Sequence, residues 1–143
     1  MIRTPHSITI PGKPAGKARP RVGQGGHFYS PKAGAFEAKV VQLAQQAWGT
    51  TPDDALYQIK LLIVKRISNS VSQKKRQAMF GCYAGQRPDP VNILAACLDS
   101  LQGILYHDDK QVPCHVVRQI WGTADFTVIS VKDISAETWS QRQ

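Results

Sequence analysis

Four of the ten acidic residues of this strongly basic chain, Asp89, Asp99, Asp108 and Asp109, lie between Arg87 and Val112. Carboxylate oxygens are the ligands that Mg2+ and Mn2+ prefer. An ion held by them stabilises charge on a phosphodiester and lowers the pKa of a bound water. A strand end carrying Asp108 and Asp109, set beside a helix start carrying Asp89, would gather three such groups. Plainer roles compete for the same residues, since Asp is a common helix N-cap and Asp-Asp a common turn.

The charge around this stretch has the opposite sign. The net charge is +8 over 143 residues. Residues 1–40 hold seven Lys or Arg against Glu37 alone, and residues 60–87 hold seven more with no acid. Basic blocks with almost no interleaved acid favour phosphate contact over an evenly mixed surface, so nucleic acid is the expected partner. Lys17, Arg19 and Arg21 fall in a Gly- and Pro-rich arm, Lys74, Lys75 and Arg76 on a short helical segment, and Arg87 just before the acidic stretch. Cys82, Cys97 and Cys114 form no CxxC pair and are odd in number, which argues against a disulfide framework and for a reduced, cytoplasmic compartment. No apolar run approaches the roughly 20 residues that span a bilayer, and the N-terminus has no signal-peptide pattern.

The elements that must position these residues follow from periodicity. Ser7–Pro11 is β-prone, the arm that follows is extended, and residues 27–29 return as a second strand. Ser30 and Pro31 announce a helix to about Trp48, with Phe36, Val40, Leu43, Ala44 and Ala47 on its buried face. In the strand over 57–67, Tyr57, Ile59, Leu61 and Ile63 alternate with a more mixed face. A basic helix over 72–80 is capped by Ser70 or Ser72. Asp89 and Pro90 start the next helix and Gly103 stops it, with Leu94, Cys97, Leu98 and Leu101 as its core stripe. Asn92, Ala95 and Asp99 share another face of that helix. Residues 104–107 and 112–121 read as two arms of a strand or hairpin around the acidic turn, and 126–131 as a last strand. Trp48, Trp121 and Trp139 read as core, interface and tail. The order β-β-α-β-α-α-β-β-β predicts one α+β domain over 1–143, helices packed on a mainly antiparallel or mixed sheet, with about 133–143 a loose tail.

Three motifs in this order resemble the RusA-type Holliday junction resolvases, over about residues 8–130. They are Ile10-Pro-Gly-Lys-Pro-Ala-Gly-Lys-Ala-Arg-Pro-Arg21, then Arg-Pro-Asp89-Pro-Val-Asn92 leading to Leu98-Asp99-Ser-Leu-Gln-Gly103, then Leu105-Tyr-His-Asp108-Asp109-Lys-Gln-Val112. The resemblance implies a homodimeric endodeoxyribonuclease, often found in phages and prophages, that uses Mg2+ or Mn2+ to resolve four-way DNA junctions in recombination and repair. It implies Asp89 and, of the acidic pair, Asp109 as metal ligands, to which the clustering of carboxylates adds Asp108; Asp89, Asp109 and Asn92 are the expected catalytic residues, and Asp99 a structural or outer-shell acid. The family pattern at the first site is Asp-x-Asp-Asn-x-x-Lys. Here Val91 stands at the second Asp and Ala95 at the Lys. Two functions therefore follow: a junction-cleaving enzyme, and a catalytically impaired relative that keeps the fold and the DNA surface.

Overall fold

The computed structural model describes residues 4–16, 21–23, 26–28 and 31–139, with side chains for 4–16 and 34–139. The core strand is β4 (Tyr57–Arg66), flanked by β5 (Cys114–Gly122) in parallel and by β6 (Phe126–Asp133) antiparallel; β1 (Ser7–Pro11) closes the order β1-β6-β4-β5. A short hairpin, β2 (Arg21–Gly23) with β3 (Gly26–Phe28), forms a separate ribbon. The sheet is mixed, and α+β with three helices is the architecture expected.

Register explains which face of the sheet is dry. Ile8, Ile129, Leu61 and Val117 stand opposite one another across the four strands, and Ile10, Thr127, Ile63 and Gln119 form the next such row. Side chains opposite one another share a face, and the helices cover this one. From α1 (Pro31–Trp48) the residues Phe36, Val40, Ala44 and Trp48 recur every four positions and are buried. Trp48 Nε1 also donates to Pro5 O at 2.7 Å. From α3 (Pro90–Leu101) come Ile93, Leu94, Ala96, Cys97 and Leu101. Burying each large aliphatic group contributes about 1.5–3 kcal/mol. Burial, with Glu37 nearby, pushes the Cys97 thiol up to about 12, so Cys97 serves as a small apolar residue.

The connection from β4 to β5, which two parallel neighbours need as a crossover, carries Asp89, Asn92, Asp99, Asp108 and Asp109. It begins with α2 (Gln73–Met79), capped by the Ser72 hydroxyl, which accepts from Lys75 N; the helix buries none of its residues. The chain then runs back along the outer edge of β5. Gly81 N donates to Trp121 O, Trp121 N to Cys82 O, and Ala84 N to Gln119 O. This segment covers an otherwise open sheet edge. The Gln119 amide, buried in the core row, donates to Ala84 O and Gln86 O and ties the segment down just ahead of α3.

The chain around the acidic turn departs from expectation. Residues 104–107 are not a strand. Gly103, at φ +85°, ends α3, and Gly103 N donates to Tyr106 O at 2.8 Å in a compact turn. Ile104, Leu105 and Tyr106 are buried one after another. A half-exposed hairpin arm requires alternation, which this run lacks. The second arm begins only at Cys114, after Pro113, and its partner is β4 in parallel. At the far end β6 extends to Asp133, and Ile134 N and Ser135 Oγ bond back to Leu56.

Candidate functional site

The acidic turn is a small, fully determined structure. Asp108 caps a single 3-10 turn (Asp109–Gln111), its Oδ1 accepting from Lys110 N at 2.9 Å. Gln111 closes the capping box from the other side: its Oε1 accepts from His107 N (2.8 Å) and Asp108 N (3.2 Å). Its Nε2 donates to Asp53 O (2.8 Å) and Ala55 O (2.9 Å). One amide thus clamps the turn to the loop before β4. That loop is held in turn by the Asp53 carboxylate, which accepts from Ala55 N and from Tyr57 OH. Beneath the turn, the Tyr106 hydroxyl donates to Leu98 O at 2.6 Å. Burial raises the Tyr106 hydroxyl well above its ordinary range, with Asp109, Cys97 and Asp99 adding to the shift. Asp108 is held below the usual carboxylate range, first by the Lys110 amide and then by a hydrogen bond shared with the Asp109 side chain. His107 Nε2 lies 3.6 Å from Asp54 Oδ1, an exposed pair of little energetic weight.

The start of α3 is the second element. Asp89 is its N-cap, Oδ1 accepting from Val91 N at 2.9 Å, and Pro90 occupies the first turn, where a missing N–H costs nothing. Val91 is 68% exposed, an apolar side chain presented to solvent two residues after the cap. Asn92 and Ala95 are half-buried and Asp99 is exposed along the same helix. Asn92 has a neighbour from the N-terminal arm. A Cβ placed on Gly16 would lie 2.1 Å from Asn92 Nδ2 and 2.8 Å from its Cγ. Only glycine fits there, and it brings the arm onto the face of α3 that carries Asn92.

The expected juxtaposition of Asp89 with Asp108 and Asp109 is not formed within one chain. The two sets stand at opposite ends of α3. Its 12 residues span about 18 Å at about 1.5 Å each. The same separation is visible on β4. The residues before α3 are anchored near Lys65, whose ammonium bonds Arg87 O, whereas Gln111 anchors the acidic turn at Ala55. Among the described residues no group of three His, Cys, Asp or Glu is placed to hold a metal ion. The described residues of this chain therefore do not fit a divalent ion bound by all three acids together.

The basic residues divide. Lys17 and Arg19 lie outside the described residues; Arg21 is in β2, without a described side chain. Lys74 and Lys75 are exposed on α2, and Arg76 donates from Nη2 to Ser68 O. Lys75 and Arg87 line a common cleft with Lys13, Lys65 and Trp121. Charge counting alone does not single out Lys13, Lys65 and Trp121, since a strand and an arm distant in sequence bring them together. Gln111 was legible, because Asp108 followed three residues later by Gln is a capping box.

Comparison with known families adds one match. The model for the family described as Endodeoxyribonuclease RusA matches residues 11–132, most of the chain, including the start of α3 and the acidic turn. Among curated proteins none matches the chain.

Proposed function

The chain belongs to the RusA endodeoxyribonuclease family, and on that premise we propose that it is a structure-selective endonuclease that resolves four-way DNA junctions as a homodimer. The observation that carries this reading is the family match over residues 11–132, which contains both acidic elements.

The geometry suggests why two copies are needed. Oxygen ligands bind Mg2+ at roughly 2.0–2.1 Å, whereas α3 holds its two acidic ends about 18 Å apart. A two-fold axis that sets the start of α3 in one protomer against the acidic turn of the other creates this pairing twice. Asp89 from one chain, with Asp108 and Asp109 from the second, would then be the oxygen donors. An ion held there supplies charge stabilisation and an activated water. The chain's own residues set the frame. Gln111 fixes the acidic turn, Asp89 caps α3, and Asn92, braced by Gly16, orients a phosphate oxygen or water at the helix start. Lys17, Arg19, Arg21, Lys74, Lys75, Arg76 and Arg87 hold phosphates of the DNA arms, which makes binding salt-dependent. Asp99, exposed in the last turn of α3, supports the acidic end from outside the ligand set. Two sites related by symmetry suit paired nicks across a junction.

A second reading has its own support in Val91 and Ala95, where the resemblance implies Asp and Lys. An exposed valine at the helix start offers neither an oxygen donor nor a charge, which favours junction binding without cleavage. Incubation with a synthetic four-way junction, with and without Mg2+ or Mn2+, separates the two. Metal-dependent paired nicks that vanish in Asp109→Asn establish the enzyme. Tight binding without nicks, converted to nicking by Val91→Asp with Ala95→Lys, establishes the impaired relative. Equal affinity for junction and plain duplex contradicts both.

A further inference from the structure

The end of β4, the exit of β1 and α2 enclose a cleft of about 670 Å3, within the range of roughly 300–1,000 Å3 common to small-molecule sites. Its polar lining is one-sided. Lys13, Lys65, Arg66, Lys75 and Arg87 line it, with Asp125 as the only acid among the described residues, and Asp125 Oδ1 already accepts from Arg66 N at 2.9 Å. Among the described residues Lys13, Lys75 and Arg87 have no ion-pair partner. Burial lowers the Lys65 ammonium below its usual range; Asp125 opposes this and Lys13 adds to it. Cations gathered in a concavity with little countercharge favour an entering anion.

The remaining lining mixes the neutral polar groups of Ser68, Asn69 and Gln86 with apolar ones. Trp121, Met79 and Val71 contribute, and the Lys65 ammonium stands 5.6 Å from the centre of the Trp121 ring while bonding to Arg87 O. A ring beside a fixed ammonium, facing unpaired cations, is the combination with which proteins hold unstacked bases and their phosphates.

We propose that this cleft takes one unpaired nucleotide of a DNA strand, its phosphate held by Lys13, Lys75 and Arg87 and its base laid against Trp121. Arg87 and Pro88 line the cleft and lead directly into Asp89. A strand gripped there is delivered to the start of α3. The inference deepens the junction reading and rests on it for the identity of the polymer. Unpaired nucleotides occur where a junction opens, so the cleft gives the protein a way to prefer branch points over duplex.

The test is fluorescence anisotropy of a labelled short oligothymidylate at low salt. Base-aromatic stacking predicts that Trp121→Ala weakens binding about tenfold and Trp121→Phe clearly less. Lys13→Gln should weaken it more than Lys132→Gln, which removes the same charge at Lys132, a residue paired instead with Glu137. Circular dichroism verifies that each variant is folded, and Lys13→Gln carries the test should Trp121→Ala fail to fold. The proposal is overturned if Trp121→Ala or Lys13→Gln, folded, binds within about twofold of the parent, or if Lys132→Gln costs as much as Lys13→Gln. It is also overturned if inorganic phosphate competes as well as the oligonucleotide, since the occupant is then a free anion, or if thymidine 5′-monophosphate does, since the occupant is then a free nucleotide and not a strand. Junction preference with unaltered binding by the Trp121 variants removes this proposal and leaves the junction reading standing. Trp121-dependent strand binding without junction preference does the reverse.

Discussion

Replacing Gln111 with Ala removes the clamp on the acidic turn. The two bonds from Nε2 go to the half-buried carbonyls of Asp53 and Ala55, and the two to Oε1 come from amides of the exposed residues His107 and Asp108. Water replaces the second pair readily. The first pair leaves carbonyls short of a partner, and at roughly 1 kcal/mol net per bond the loss is about 2 kcal/mol. For a chain of this size that lowers Tm by about 4–8 °C. Gln111→Glu keeps the acceptor, loses both donations and adds a charge beside Asp108, so it should be no more stable than the Ala variant at neutral pH. Urea and thermal unfolding followed by circular dichroism measure both. Junction cleavage should fall in each variant while oligothymidylate binding at the distant cleft is retained. A Gln111→Ala protein within about 0.5 kcal/mol of the parent, a change ordinary for surface sites, refutes the clamp, as does a fully stable Gln111→Glu.

Other outcomes follow from the same geometry. Gly16→Ala forces a methyl group into Asn92 and should destabilise by about 1–3 kcal/mol through overpacking; in the double variant with Asn92→Ala most of this cost should disappear, and additive losses in unfolding experiments would contradict the contact. Asp108→Asn keeps a good N-cap but should flatten the acid side of the stability curve. The folded-state pKa of Asp108 is depressed, so its contribution is present above the ordinary carboxylate range and is lost as pH falls through the folded value. Urea midpoints between about pH 5 and pH 3 should therefore fall less in the variant than in the parent. Val91→Asp exchanges an exposed apolar group for a carboxylate in the first turn of α3, where the helix dipole favours it by about 0.3–1 kcal/mol. Its Tm in metal-free buffer should be unchanged or higher, whichever reading of cleavage holds.

Much of this fold can be read directly from residue patterns. Asp89 and Pro90 open α3 and Gly103 ends it, because caps act locally, and β4 shows its dry face through simple alternation. The turn over 104–106 cannot be read this way: three consecutive apolar residues suit a buried strand or a buried turn equally, and burial beneath α3 decides the outcome. The parallel pairing of β5 with β4 is likewise a long-range result of the crossover. The separation of the acids is different in kind. Asp89 precedes a 12-residue helix and Asp108 follows it, so the helix's own rise keeps them apart. Residue type points to metal chemistry, whereas the 12-residue helix between the acids is what separates them in the fold. The cleft around Trp121 depends on contacts between β4, the arm and α2 that no local pattern encodes.

The proposed pairing of acids across two protomers is tested most directly by complementation. Asp89→Asn and Asp109→Asn proteins are prepared separately, mixed under conditions that exchange subunits, and assayed for junction nicking with Mg2+ or Mn2+. The assay is run in the parent chain and in the Val91→Asp, Ala95→Lys background. Each variant alone should be inactive. A mixed dimer that draws Asp89 from one chain and Asp109 from the other contains one intact site and one doubly altered site, so mixing should restore single nicks. Mixtures as inactive as their components, with the parent of that background cleaving, would place the whole site in one chain and contradict the account.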